Sequence, residues 1–340
     1  MGSKSYILII VFVILSVAAC KKSNTPIPAK AANVDVYVAG STATADPSIN
    51  QNIVAAYWKN GVITKLSDST SDAQASAIAV SGSDIYVVGY VSAAIGGQWT
   101  PVLWKNGVMT KLTNGATDAR ANSIAIQGSD VYIGGSVANS SGRYVATYWK
   151  NGVATQLTDG TTNANISAIT ISGGNVYAVG NIGNIGTIWK NGIAASLTGT
   201  QPSSANALFV QGSDVYVAGA IGETAAYWKN GHSTFLLGNN NNILFSSATG
   251  IGVTGSTVYV SGTIGDSNGS AAVIWNNGIA ANLNTTFSSN NLATGLAVSG
   301  NDVYVTGDMN IVAGYWRNGV VLTLPSPYYG AASGITLVTH

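Results

Sequence analysis

Beyond residue 33 the apolar positions fall in short runs, each closed by Gly, Asn, Ser or Asp, which is the pattern of strands and turns. The runs recur. A Trp-(Lys/Arg/Asn)-Asn-Gly tetrad begins at Trp58, Trp104, Trp149, Trp189, Trp228, Trp275 and Trp316, about 43 residues apart on average. A second run, small apolar residues around a Tyr and closed by Gly, also occurs seven times, at Tyr37, Tyr86, Tyr132, Tyr177, Tyr216, Tyr259 and Tyr304. Each unit reads as four strands of about five residues. Strand A is of the Ala-Ile-Ala-Val type (77–80) and strand B of the Asp-Ile-Tyr-Val-Val type (84–88). Strand C ends in the Trp, and strand D runs to a Leu. Asn-Gly between C and D predicts a type I′ hairpin, because both central residues of that turn need φ > 0.

A four-stranded repeat of roughly 40–45 residues has the size of a β-propeller blade. The first unit starts at strand B, near residue 34, and lacks an A strand. The segment 333–338 matches an A strand with no B strand after it. The expected fold is therefore all-β: a seven-bladed β-propeller with four-stranded blades, its ring closed by the C-terminal strand completing the first blade. Such closure removes the open edge. A membrane barrel is set aside on strand length, since its strands need roughly 9–11 residues.

The first 33 residues read differently. Lys4 precedes an apolar run over 6–19 that is too short for a bilayer core of roughly 30 Å and suits a signal peptide. The run ends Val17-Ala18-Ala19-Cys20, which resembles the bacterial lipobox, whose Cys becomes the lipidated N-terminus of the mature protein. That resemblance implies a signal peptide over 1–19, a lipidated Cys20 with a flexible tether over 20–33, and the propeller over 34–340. It also implies a membrane partner through the lipid anchor. No acidic residue follows Cys20, which points to the outer membrane, on its periplasmic or cell-surface side. Cys20 is the only cysteine, so no disulfide forms within the chain.

Composition narrows the function. Only 8% of the 340 residues are charged, against roughly 25% in an average soluble protein. Blades bury both faces and leave ions to turns and loops, which accounts for the shortage. With Lys+Arg 14 against Asp+Glu 13, the chain has no basic face for nucleic acid. The run from Gly250 to Gly255 matches Gly-x-Gly-x-x-Gly, but it falls on strand A and the following turn with no helix after it, so no nucleotide is expected. His232 and His340 form no metal pair, and no Gly-x-Ser-x-Gly elbow is present; neither metal nor cofactor is expected. Asp266-Ser267-Asn268-Gly269-Ser270 is a faint calcium-loop match without the terminal Glu.

The charges sort by end of the ring. Antiparallel strands put the A–B and C–D turns together, which collects Asp35, Asp84, Asp130, Asp214 and Asp302 with Lys59, Lys105, Lys150, Lys190, Lys229 and Arg317. A ring of surface ion pairs is expected there. The other acids fall toward the opposite end: Asp46, Glu223, Asp266 and Asp308 at B–C loops, and Asp68, Asp72, Asp118 and Asp159 at D–A loops. Only Lys65, Lys111, Arg120 and Arg143 accompany them, so this end is net acidic by about four charges. The same loops vary in length and carry aromatics that do not repeat. Variable loops on a rigid scaffold are where binding concentrates. The candidate ligand-binding residues are Trp99, Arg120, Arg143, Tyr144, Glu223, Phe287, Asp308, Tyr328 and Tyr329. The repeated Trp and Tyr are expected to be packing residues.

Asn301-Asp302-Val303-Tyr304-Val305-Thr306-Gly307 is close to a Gly-Asn-Val-Tyr-Val-x-Gly unit. On such units, residues 34–340 resemble bacterial cell-surface β-propeller repeat proteins. The Trp-Lys-Asn-Gly hairpin departs from that pattern and is associated with lipoproteins of unassigned function. The resemblance implies secretion and a binding or scaffolding role, with no catalytic residues to carry over. Three readings stand. The first is a non-enzymatic, lipid-anchored propeller that binds a protein or glycan through its B–C/D–A end. The second is a polysaccharide lyase or glycosidase using Glu223 or Asp308 with another loop carboxylate. The third is a purely structural envelope scaffold.

Overall fold

The seven units fold as seven four-stranded antiparallel sheets, the blades of a β-propeller. The computed structural model describes residues 34–43, 53–92, 97–238, 242–283 and 291–340. Cys20, Asp46 and Phe287 lie outside the described residues, as do all of residues 1–33, over which a signal peptide and a tether are expected. Blade 1 joins Gly330–Thr339, as strand A, to Val34–Ala43, Ile53–Lys59 and Val62–Lys65; blades 2–7 follow in chain order. The A strands of blades 2–7 are Ala73–Ser81, Ala119–Gln127, Ala164–Ser172, Ser203–Gln211, Phe245–Thr254 and Asn291–Ser299. Each packs against the next, and Gly330–Thr339 packs against Ala73–Ser81. The innermost strands thus form a closed ring, built with its closure from residues 34–339.

The strands are longer than the five residues expected. Ala73–Ser81 and Asp84–Ser92 have nine residues each, Trp99–Lys105 has seven, and Val108–Lys111 has four. Strand length therefore does not separate this chain from a membrane barrel; its division into seven separate sheets does. The short reading of strand A (77–80) stopped at a β-bulge. All seven A strands shift register at one residue: Ser76, Asn122, Ser167, Asn206, Thr249, Thr294 and Ser333. A bulge inserts one unpaired residue and puts the alternation of inward and outward positions out of phase.

Two recurring features follow from the bulge. Opposite it, strand B carries the Gly that closes each Tyr run. A Cβ on Gly135 would stand 1.9 Å from the carbonyl oxygen of Arg120, and one on Gly89 1.9 Å from that of Gln74. The residue must be Gly because backbone occupies the space. In four blades the bulged residue bonds the next blade through its side chain. Asn122 Nδ2 donates to the Ile166 carbonyl at 2.8 Å, Asn206 Nδ2 to Ala248 at 2.9 Å, Thr249 Oγ1 to Ala293 at 2.7 Å and Thr294 Oγ1 to Ala332 at 2.7 Å. Four of the seven junctions of the inner ring are stitched in this way.

The seven Trp are at most 1% exposed. Each sits in an apolar cluster that spans two blades: Trp149 lies among Val88, Ala121 and Ile133, with Leu103 and Leu112 against it. They are core, as expected. The Asn-Gly hairpins have Asn φ of 48–52° and Gly φ of 81–85°, the type I′ conformation. The Asn does more than turn the chain. In every blade its Oδ1 accepts the N–H of the strand-B residue directly before the Tyr, namely Val36, Ile85, Val131, Val176, Val215, Val258 or Val303, as in Val131 N to Asn151 Oδ1 at 2.9 Å, and its own N–H donates to that residue's carbonyl. The hairpin is thereby latched to the strand beside it.

Candidate functional site

At the hairpin end the latch is also electrostatic. Asn Nδ2 donates to the Asp that opens strand B (Asn151 to Asp130, 2.8 Å), and the cation before the Asn pairs with the same carboxylate (Lys150–Asp130, 2.8 Å). The same ion pair recurs as Lys59–Asp35, Lys105–Asp84, Lys229–Asp214 and Arg317–Asp302. Each cation stands over the strand-B Tyr of its own blade, 5.1–5.6 Å from the ring centroid. Lys150 and then Asn151 hold the Asp130 carboxyl below its usual range. Two blades depart. Blade 4 has Asn175 in place of the Asp, so Lys190 covers Tyr177 at 5.4 Å with no carboxylate partner among the described residues. Blade 6 replaces both members, with Thr257 and Asn276. This end is a repeated structural device.

The opposite end is where the units differ, and one cluster of non-repeating side chains stands on blades 2 and 3. Tyr90 is the residue after the obligatory Gly of strand B; the other units have Ser41, Ser136, Asn181, Ala220, Thr263 and Asp308 there. Tyr90 Oη donates to Gln74 Oε1. Trp99, the first residue of strand C, meets the Tyr90 ring edge-on, with centroids 4.9 Å apart at 77°. The guanidinium carbon of Arg120, on strand A of blade 3, lies 5.4 Å from the same ring centroid. Asp118 ties the group together: it accepts the Trp99 backbone N–H at 2.7 Å and the Tyr144 hydroxyl. That hydrogen bond raises the Tyr144 phenol, while burial raises Tyr90. Arg120 and Tyr144 then border a cavity of about 400 Å³, completed by Asn122, Ser136, Asn163 and Asn165. Aromatic faces, one guanidinium and a wall of amides and hydroxyls can stack a ring and satisfy many hydroxyl groups at once.

The predicted residues divide. Trp99, Arg120 and Tyr144 come together. Arg143 is exposed on the neighbouring loop and spends its guanidinium on the Thr161 carbonyl at 2.5 Å, away from the cavity. Glu223 lies on the blade 5 B–C turn beside a separate cavity of about 260 Å³ lined by Leu236, Leu237, Ile243 and Phe245. Asp308 belongs to strand B of blade 7 (Asp302–Met309), not to a loop; it accepts the Ala332 N–H of the closing strand at 2.8 Å. Burial pushes its carboxyl up to about 6. Tyr328 is 53% exposed. The Tyr329 carbonyl accepts the Ala43 N–H at 3.0 Å, which ties the last D–A loop to blade 1. Tyr328, Tyr329 and Asp308 thus sit by the seam between blades 7 and 1. Among the described residues, no group of three His, Cys, Asp or Glu side chains is placed to hold a metal.

Tyr90, Gln74 and Asp118 were absent from the sequence-based candidates. Tyr90 hides inside a repeated strand, yet it is a bulky residue where most other units keep a small one. Aligning the units position by position would have found it.

No family model matches the chain, and no curated protein does. Among solved structures, a puromycin-hydrolyzing peptidase of Mycobacterium tuberculosis matches with a TM-score of 0.53 at 12% identity, covering 82% of this chain and 50% of that one. The chain therefore spans half the length of that peptidase, and the likeness shows the propeller fold alone. A nidogen/laminin complex structure matches at a TM-score of 0.44 and 11% identity, over 89% of this chain and 98% of that one.

Proposed function

We propose that this is a non-enzymatic propeller, anchored to the bacterial envelope by a lipid on Cys20, that binds a glycan at blades 2–4 of its B–C/D–A end. The observation that carries the reading is the Tyr90–Trp99–Arg120–Tyr144 group against the amide-walled cavity. Sugar rings present apolar C–H faces to aromatics and hydroxyls to Asn, Asp and Arg, so a pocket with both kinds of wall suits them better than a flat protein partner. The site rests on strands and short turns that are hydrogen-bonded to Asp118 and Asn163, so little ordering accompanies binding. The test is a glycan panel read by thermal shift and calorimetry. A glycan that binds should bind at least tenfold more weakly to Trp99→Ala or Arg120→Ala and equally to Lys150→Ala. Weakening by Lys150→Ala alone would move the site to the hairpin end. Anchoring is tested separately: labelled palmitate should enter the chain in cells and be lost with Cys20→Ser.

A further inference from the structure

The clefts between blades at the hairpin rim are not all filled alike. The strand-C residue before each Trp faces the cleft to the next blade. In blades 1, 3, 5 and 7 it is Tyr57, Tyr148, Tyr227 and Tyr315, each packed into the next blade's apolar cluster. Across the hairpin these Tyr pair with Thr64, Thr155, Thr234 and Leu322. In blades 4 and 6 the pairs are Ile188–Ala195 and Ile274–Ala281. Both changes remove volume. The clefts after those two blades are open, with cavities of about 310 Å³ between blades 4 and 5 and about 330 Å³ between blades 6 and 7. Both lie near the lower bound for small-molecule sites.

The two cavities share most of their lining, with Ser196 and Ser213 of the first replaced by Asn282 and Asn301 in the second, and they differ in charge. Each has an Ile and an Ala on one wall, with Val215 and Val217, or Val303 and Val305, on the other. At the rim of the first stands Lys190, the hairpin-end cation whose carboxylate has been replaced by Asn175. At the same place in the second stands the neutral Asn276. An apolar cleft with an uncompensated cation at its mouth complements a ligand with an apolar tail and an anionic head.

We propose that the cleft between blades 4 and 5 binds a small amphiphilic carboxylate, its tail against Ile188, Ala195 and Val217 and its head on Lys190. The site is independent of the glycan pocket. Octanoate is the probe, titrated into residues 34–340, which contain every strand of the ring and its closure, by calorimetry and methyl NMR. Saturable binding is expected, with shifts at Ile188 and Ala195 and none at Ile274 and Ala281. Lys190→Asn, which copies blade 6, should weaken octanoate at least tenfold and leave neutral octanol binding unchanged. Ile188→Tyr, which copies the odd blades, should abolish both; Ala195→Thr fills the same space if the first variant does not fold. The proposal is overturned if octanoate shows no saturable binding, binds both clefts equally, ignores the loss of Lys190, or survives filling of the cleft.

Discussion

The two ends of the ring are built from the same strands and behave as opposites. At the hairpin end, five blades repeat one arrangement of Asp, Asn, cation and Tyr, and every one of those carboxylates is held below its usual range by the Asn and cation that bond it. At the other end the units diverge. There Asp68 and Asp159 are lowered by their own Thr turns, whereas Asp308 is raised by burial. Repetition marks what the ring needs in order to stand, and departure from it marks where something else is being served.

The largest expected effect tests what both ends share. Gly135→Ala forces a Cβ into the Arg120 carbonyl, so the bulge must be lost or the strand displaced. It should cost at least about 3 kcal/mol in chemical denaturation, or prevent folding. Gly152→Ala, at a hairpin tip with open space around it, meets only the penalty of φ +84° and should cost about 1–2 kcal/mol. Equal costs would remove the bulge from the explanation of the fold.

The next test separates the ends by pH. Asp308 has a raised folded-state pKa, so between about pH 4 and pH 6 the folded chain keeps a proton that the unfolded chain has released. Stability should fall as pH rises through that window, by about 3 kcal/mol in all, and Asp308→Asn should abolish the fall. The hairpin-end Asp have lowered pKa values, so their stabilisation is complete above about pH 4 and is lost on further acidification. Unfolding curves for parent and variant at pH 4.5 and 7 decide the matter; parallel pH dependences would contradict the assignment.

Smaller effects sharpen the account of the latch. Asn151→Gly keeps the positive φ and the backbone bond to the Val131 carbonyl but removes the side-chain bonds to the Val131 N–H and to Asp130, and should cost about 1 kcal/mol. Lys150→Ala removes an exposed, screened ion pair and the exposed contact of the ammonium with the Tyr132 ring, and should give the smallest change of the set, shrinking further in high salt. A larger loss from Lys150→Ala than from Asn151→Gly would reverse the ranking of hydrogen bond over ion pair.

The blade count, the hairpins, the ring closure and the buried Trp could all be read in the sequence, because each rests on residues that recur at fixed spacing. The bulges could not. Ser76 and Asn122 look like ordinary polar interruptions, and only the pairing across to Gly89 and Gly135 shows why they stand there. The latch was half visible: Asn-Gly announces a turn, but the bond from Asn Oδ1 to a strand some twenty residues earlier is a contact between elements. At the candidate site, Trp99, Arg120 and Tyr144 stood out as departures in loops and at strand ends. Asp118 looked like one more surface acid until the structure placed it between Trp99 and Tyr144.

Blade 1 draws its innermost strand from the far end of the chain, pairing Val34 with Thr339. During synthesis, strand B of that blade is made first and waits for almost the whole remaining chain before its partner leaves the ribosome. Its hydrogen-bonding edge is open throughout, which is the condition for mispairing with another nascent chain. Contacts of such long sequence separation form late and slowly. Once made, they turn seven adjacent sheets into a single cooperative object that cannot fray from either terminus.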